Sequence, residues 1–143
     1  MTAVGSRGPI VIDTNVFSAD LVPGARLTDL YEPLVVGRLG FISFQTAAEV
    51  RYGALRRGWG EARTRRLEAK LQRTTILQSG PELIQTWAEL RVACAEIGHA
   101  LAQSEHNADR WIAASAVRLG IPLVTDDRIF RGVPGLEVET VAR

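Results

Sequence analysis

Acidic residues recur in this chain at positions where they could do chemistry together. Asp13 closes the apolar run Ile10–Val11–Ile12 and is followed by Thr14 and Asn15. Glu49 lies in "QTAAEVRYGAL", Asp109 in "NADRWIAASAVRLG", and Asp126 and Asp127 directly follow "IPLVT". A carboxylate at the end of a buried apolar run is costly to desolvate unless something pairs with it. Taken singly, such an acid is ordinarily a helix cap or half of a salt bridge. Several in one pocket repel one another, and at neutral pH they need protons or a cation. A hard divalent ion suits an all-oxygen donor set, and magnesium keeps several of its waters in such a site. An ion held there can bind a phosphate oxygen and lower the pKa of a water, which makes a nucleophile.

These acids act together only if the fold gathers them. "IVIDTNVF" reads as a buried strand ending near Phe17, and "GFISF" as a second strand. "TTILQSG" is a weak strand or an extended link, "IPLVT" a buried strand, and "LEVETV" an alternating one nearer an edge. Between them, "ARLTDLYEPLVVG" suggests a helix to Gly37, its continuity put in question by Pro33. "QTAAEVRYGALRR" is a helix with Thr46 as its cap, and a basic helix begins near Glu61 after Gly58 and Gly60. Pro81 opens a further helix whose apolar face is Leu83, Trp87, Leu90, Cys94 and Ile97, ending near Gly98. "EHNADRWIAASAVRLG" is the last, with Ile112, Ala116 and Leu119 inward and Gly120 as its stop. Strands separated by helices give an α/β fold with a central, mainly parallel sheet, in one domain over residues 1–143 with a core of about 10–141. Ligands in open parallel sheets bind beyond the carboxyl ends of the strands. Asp13, Asp126 and Asp127 end strands, and Glu49 and Asp109 lie on helices adjoining strands, so one sheet edge can collect them all.

Composition narrows the field. With 143 residues, 46% hydrophobic and 23% charged, this is the make-up of an ordinary globular domain. The lone cysteine, Cys94, excludes an internal disulfide and a thiolate-rich zinc site, and its apolar surroundings make it a small core residue. The start "MTAVGSRGPIVID" lacks a charged stretch followed by a long apolar one, and no run approaches the ~20 apolar residues of a membrane span. A cytoplasmic protein without a membrane partner is expected. Net charge is +1, but residues 51–73 carry seven arginines and Lys70 against Glu61 and Glu68, a local +6. Such a run is commonly a solvated helical face; Arg51, Arg56, Arg57, Arg63, Arg65, Arg66 and Lys70 are equally the residues that would track a phosphate backbone.

Taken together, "VIDTNVF", "TAAEVRYGAL" and "NADRWIAASAVRLGIPLVTDDRIF" resemble a PIN-domain ribonuclease of the VapC toxin type, from Ile10 to about Phe130. Each motif is weak alone; their order and spacing are specific. The resemblance implies a PIN-like three-layer α/β/α fold and a catalytic, metal-binding set of Asp13, Glu49, Asp109 and Asp127. In the last segment the family pattern is threonine, any residue, acid, which Thr125 and Asp127 fit, with Asp126 in the variable place and also within possible reach of the metal. Thr14, Asn15 and Thr125 become polar neighbours that orient ligands or waters, where turn and capping chemistry is their ordinary use. The resemblance further implies Mg2+ or Mn2+ as cofactor, structured or single-stranded RNA as substrate, a homodimer, and a small VapB-like antitoxin covering the active site. It raises the prospect that the basic segment lines an RNA path. Trp59 within it could stack a base, though a packing anchor is the commoner role.

Other readings fit less well. A haloacid-dehalogenase-type phosphatase needs a second acid two residues after the first, where this chain has Asn15, and a lysine near the phosphate; the only lysine is Lys70, inside a helix. A receiver-like phosphoacceptor fails on the same lysine. His99 and His106, the only histidines, flank a helix start and suit capping better than acid–base cleavage. "GWGEAR" lies between helices and lacks the third glycine of a phosphate loop, and there is no HExxH. A non-catalytic basic module that binds RNA or protein remains the rival from another class, and it has no use for four acids at one sheet edge.

Overall fold

Ile10, Val11 and Ile12 are buried because the strand they form, β1 (Ile10–Ile12), runs through the middle of a sheet covered on both faces. The computed structural model describes residues 7–142. The other strands are β2 (Gly40–Ser43), β3 (Thr75–Leu77), β4 (Leu123–Val124) and β5 (Val138–Glu139). They lie in the order β3-β2-β1-β4-β5, and every pairing is parallel. Ile10 sits opposite Gly40 on one side, and Val11 opposite Leu123 on the other.

Side chains alternate across a strand, so β1 feeds two cores. Ile10 and Ile12, with Ile42 and Val124, pack against α1 (Thr14–Ser18), α2 (Leu27–Val35), α3 (Phe44–Arg56) and α4 (Glu61–Gln72) through Val16, Tyr31, Val50 and Leu67. Val11 and Leu123 face α5 (Pro81–Glu96) and α6 (Asn107–Leu119) through Leu90, Cys94, Ile112 and Ala113. Each such fully buried aliphatic side chain contributes roughly 1.5–3 kcal/mol relative to exposure. The result is a three-layer α/β/α domain with a wholly parallel sheet among the described residues. Cys94 is fully buried, the core residue expected, and burial pushes its thiol pKa up.

Several boundaries differ from expectation for local reasons. The first strand stops at Ile12 rather than near Phe17, because Asp13 turns the chain and caps α1 by accepting the Thr14 N–H. Thr46 is not a cap: Ser43 caps α3, accepting the Gln45 N–H, and Thr46 is buried one turn in. Pro33 is tolerated near the end of α2, which reaches Val35. Ile97 and Leu119, expected to face inward, are 60% and 44% exposed, since each lies at a helix end beyond the edge of the layer. Gly120 does stop α6, with φ at +66°, a left-handed conformation that glycine adopts without steric cost.

The strand order has a consequence for function. The chain leaves β1 for β2 and β3 on one side, then returns to place β4 and β5 on the other. The crossing direction reverses between β1 and β4, and a crevice opens beyond the carboxyl ends of strands at such a point. Asp13 follows β1, and Thr125 to Asp127 follow β4.

Candidate active site

A cavity of about 660 Å³ occupies this crevice, and Asp13, Glu49, Asp109 and Asp127 all line it, with Thr14 and Asn15 between them. Asp13 is only 5% exposed. Its Oδ1 accepts the Thr14 N–H at 2.8 Å and its Oδ2 the Thr125 hydroxyl at 2.6 Å. Burial pushes its pKa up to about 6; the Thr125 and Thr14 hydrogen bonds oppose that rise, and the charges of Asp109 and Asp127 add to it. Two donors hold the carboxylate in place but do not offset the cost of its desolvation.

Thr125, itself fully buried, joins the two strand ends. Its hydroxyl donates to Asp13 and accepts the Asp127 N–H at 3.0 Å. Asp127 in turn caps the 3-10 turn Arg128–Phe130 by accepting the Ile129 N–H. Glu49 reaches the cavity from α3, nearly two turns beyond its cap, and its Oε1 accepts the Thr14 hydroxyl at 2.6 Å. Thr46 Oγ1 lies 3.0 Å from that same hydroxyl. Thr14 thus ties the acid of α3 to the backbone that carries Asp13. Asp109 stands in the first turn of α6, where the helix dipole favours negative charge. His106 Nδ1 lies 3.1 Å from Asp109 Oδ2.

Asp126 points elsewhere. Tyr31, only 1% exposed, donates its hydroxyl to Asp126 Oδ1 at 2.6 Å and accepts the Val141 N–H. Asp126 therefore fastens the β4 end to α2 and does not line the cavity. Burial, followed by the Asp126 hydrogen bond, pushes the Tyr31 pKa up.

The basic segment divides. Arg56 and Arg57 line the acid cavity, as do Tyr52, Gly53 and Trp59. Arg51 is paired with Glu68 at 2.9 Å, a contact that also holds the Glu68 carboxyl below the usual range. Arg65 is paired with Glu61 one turn away. Lys70 is engaged by the Phe17 carbonyl and by Asp20 at 2.7 Å. Arg63 lies over the Trp59 ring at 5.1 Å, and Trp59 packs against the core as well as lining the cavity. Arg66 stands exposed on α4, outside the cavity lining.

Two features had no sequence signal strong enough to single them out. Tyr31 reads as an ordinary helical aromatic until Asp126 is placed beside it. Arg110 is fully buried, with no carboxylate partner among the described residues. Its guanidinium donates to the Leu101 and Gln103 carbonyls and to Asn107 Oδ1 at 2.7–2.9 Å, and it stacks 4.6 Å from the Trp87 ring. It fixes the chain entering α6, and hence where Asp109 begins. His106 had a weak signal, its i, i+3 spacing to Asp109.

Among the described residues, no three acidic, histidine or cysteine side chains are drawn together into a ready metal cage. The four acids instead share a roomy cavity whose remaining lining is largely apolar, with Val22, Leu27 and Val50 among it. That donor set fits a hard divalent cation that keeps part of its water shell, and the mutual repulsion felt at Asp13 is what such a cation relieves.

Comparison with known proteins bears on this site. The family model described as PIN domain matches residues 10–136. The chain is similar to ribonuclease VapC5 of Mycobacterium tuberculosis, 32% identical over 128 residues, which are 87% of either chain. Among solved structures it resembles VapBC-5 from Mycobacterium tuberculosis, a member of the VapBC family of toxin–antitoxin systems, with TM-score 0.66 and 27% identity over 95% of this chain and 98% of that one. VapBC2 from Rickettsia felis, bound to a DNA fragment from its promoter, shares the fold at TM-score 0.74 and 23% identity, over 92% and 97% of the two chains.

Proposed function

The chain belongs to the PIN-domain family, and from that premise we propose that it is a cytoplasmic, divalent-cation-dependent endoribonuclease, the toxin of a toxin–antitoxin pair. The observation that carries the reading is the meeting of Asp13, Glu49, Asp109 and Asp127 on one cavity at the switch point of the sheet, in a chain similar to a ribonuclease along most of its length. No helix among the described residues is long and apolar enough to cross a membrane.

Asp13, Asp109 and Asp127, with Glu49, are the residues that would hold Mg2+ or Mn2+. A bound divalent cation would there neutralise a phosphodiester's charge and lower the pKa of a water. The chain supplies the rest. Thr125 and the Thr14 amide fix the Asp13 carboxylate, and Thr14 fixes Glu49. His106 and the start of α6 set Asp109. Asn15 lines the same cavity and can donate to a phosphate oxygen. Neither histidine is arranged for cleavage by way of the 2′-hydroxyl: His99 accepts the Leu101 N–H and contacts the Arg131 carbonyl, and His106 faces Asp109. The nucleophile is water, and the 3′ oxygen departs opposite to its attack.

Partners follow from the same relatives. A VapB-like antitoxin is the protein that would silence the cavity, as a toxin–antitoxin complex of this fold implies. A homodimer belongs to the same proposal.

The test is end-group analysis of a short RNA cut in magnesium or manganese, repeated with a 2′-deoxy sugar at the scissile position. The reading predicts 5′-phosphate and 3′-hydroxyl ends, cleavage of the deoxy substrate, and loss of activity in chelator. Cyclic phosphate ends, or chelator-resistant cleavage, would contradict it.

A further inference from the structure

Glu49, Tyr52, Gly53 and Arg56 follow one another at helical spacing along α3, Arg57 caps its end, and all five line the acid cavity. This face of the helix passes from carboxylate through an aromatic ring to two guanidinium groups. Gly53 is anomalous within it, since glycine is among the poorest residues for a helix interior. A Cβ on Gly53 would stand 2.9 Å from Arg57 Nη1, the far end of an exposed, flexible side chain that would have to move. The Arg57 side chain folds back one turn and lies against bare backbone. That brings its charge to about one helical turn, roughly 6 Å of rise, from the level of Glu49. Although Arg56 and Arg57 share a cavity with four acids, neither forms an ion pair with any of them among the described residues, whereas Arg51, Arg65 and Lys70 are all paired.

We propose that Arg57 on its Gly53 floor, with Arg56 beside it and Tyr52 next to them, is a phosphate-and-base subsite for the nucleotide neighbouring the scissile one in single-stranded RNA. The proposal rests on the ribonuclease reading and specifies its substrate. A separation of about one helical turn, roughly 6 Å, is of the order of the distance between successive phosphates on one strand. The phosphate held by Arg57 is therefore the neighbour of the one being cut. Arginine presents a planar fork that takes a phosphate through two donors. Tyr52, 62% exposed, offers its ring to a freed base, a contact that tolerates any sequence. A duplex has no freed base to offer.

The experiment measures binding of a labelled twelve-nucleotide single-stranded RNA of mixed sequence, and of the same strand in a blunt duplex, to the full chain in chelator. Binding without metal separates this subsite from catalysis: if cleavage fails while binding behaves as stated, the ribonuclease reading falls and the subsite stands. Arg57→Gln should weaken single-strand binding about tenfold and reduce the slope of log affinity against log salt by about 0.7, the value of one single-strand phosphate. Gly53→Ala should weaken it severalfold by displacing the guanidinium, with the fold kept, because alanine is the better helix former. In the double variant the two losses should not add, since both act on one contact. Arg118→Gln, on the far end of α6 and paired with Glu82, is the control and should bind as the parent does. Unchanged affinity and salt slope in Arg57→Gln, additive losses in the double variant, or equal losses on the duplex would each overturn the proposal. An arginine present only to offset the cavity acids, or to meet an acidic antitoxin, gives the first of these results.

Discussion

Two charged side chains are buried within a few residues of the same crevice, and the fold treats them in opposite ways. Arg110 has no exposed surface, yet carbonyls at Leu101 and Gln103, the Asn107 side chain and the Trp87 ring surround its guanidinium. Burial still lowers its pKa, from a value so high that the charge is retained. Asp13 has two donors, yet burial, and after it the charges of Asp109 and Asp127, push its carboxyl up to about 6. A charge that a protein keeps for structure is satisfied from within. One left under-compensated at a strand end, facing other charges of its own sign, is arranged for something that arrives from solution.

The sharpest way to break this contrast is at the acids. Asp109→Asn should lower cleavage on the order of 10³-fold, about 4 kcal/mol of barrier, while circular dichroism shows an unchanged fold. A folded, fully active variant would remove Asp109 from the site. Arg110→Met tests the other pole: it deprives several buried carbonyls of their donors and should cost about 3 kcal/mol of stability by denaturant unfolding. A loss below about 1 kcal/mol would mean that those carbonyls find other partners.

Asp13→Asn sharpens the contrast because its sign is opposite. A carboxyl whose pKa is raised on folding binds its proton more tightly in the native state, so its contribution falls as pH rises from about 4 through about 6. Metal-free Asp13→Asn should therefore be more stable than the parent by about 3 kcal/mol at pH 8, and the gain should vanish near pH 4. A gain that persists at pH 4 would assign it to packing. The smallest effect belongs to Tyr31→Phe, which strips one hydrogen bond from Asp126 and should cost about 1 kcal/mol with cleavage rates within about twofold. A large loss of activity would put Asp126 back among the reacting groups.

Much of this was legible in the sequence because the strongest signals were local. The apolar run before Asp13, the glycine stop of α6 and the proline opening α5 each fixed an element from its own neighbours. The four acids were legible through their order and spacing around those elements. What was not legible depended on tertiary contact. Nothing in "DTNV" tells that Asp13 both ends the strand and caps the next helix, and Thr46 looks like a cap until Ser43 is seen to cap α3. The basic run 51–73 read as one surface, yet pairing with Glu68, Glu61 and Asp20 withdraws Arg51, Arg65 and Lys70 from it, because their partners lie on other turns or other elements. Arg110 was invisible for the same reason: its partners are backbone carbonyls, which no residue type announces.

The proposed compensation of the acids at the switch point by a divalent cation can be read from thermal unfolding against pH, with and without manganese. Manganese should raise the melting temperature at pH 7.5, the rise should fade as pH falls below about 6 with protonation of Asp13, and it should be largely lost in Asp109→Asn. A melting temperature indifferent to manganese at pH 7.5, or raised equally in parent and Asp109→Asn, would contradict it.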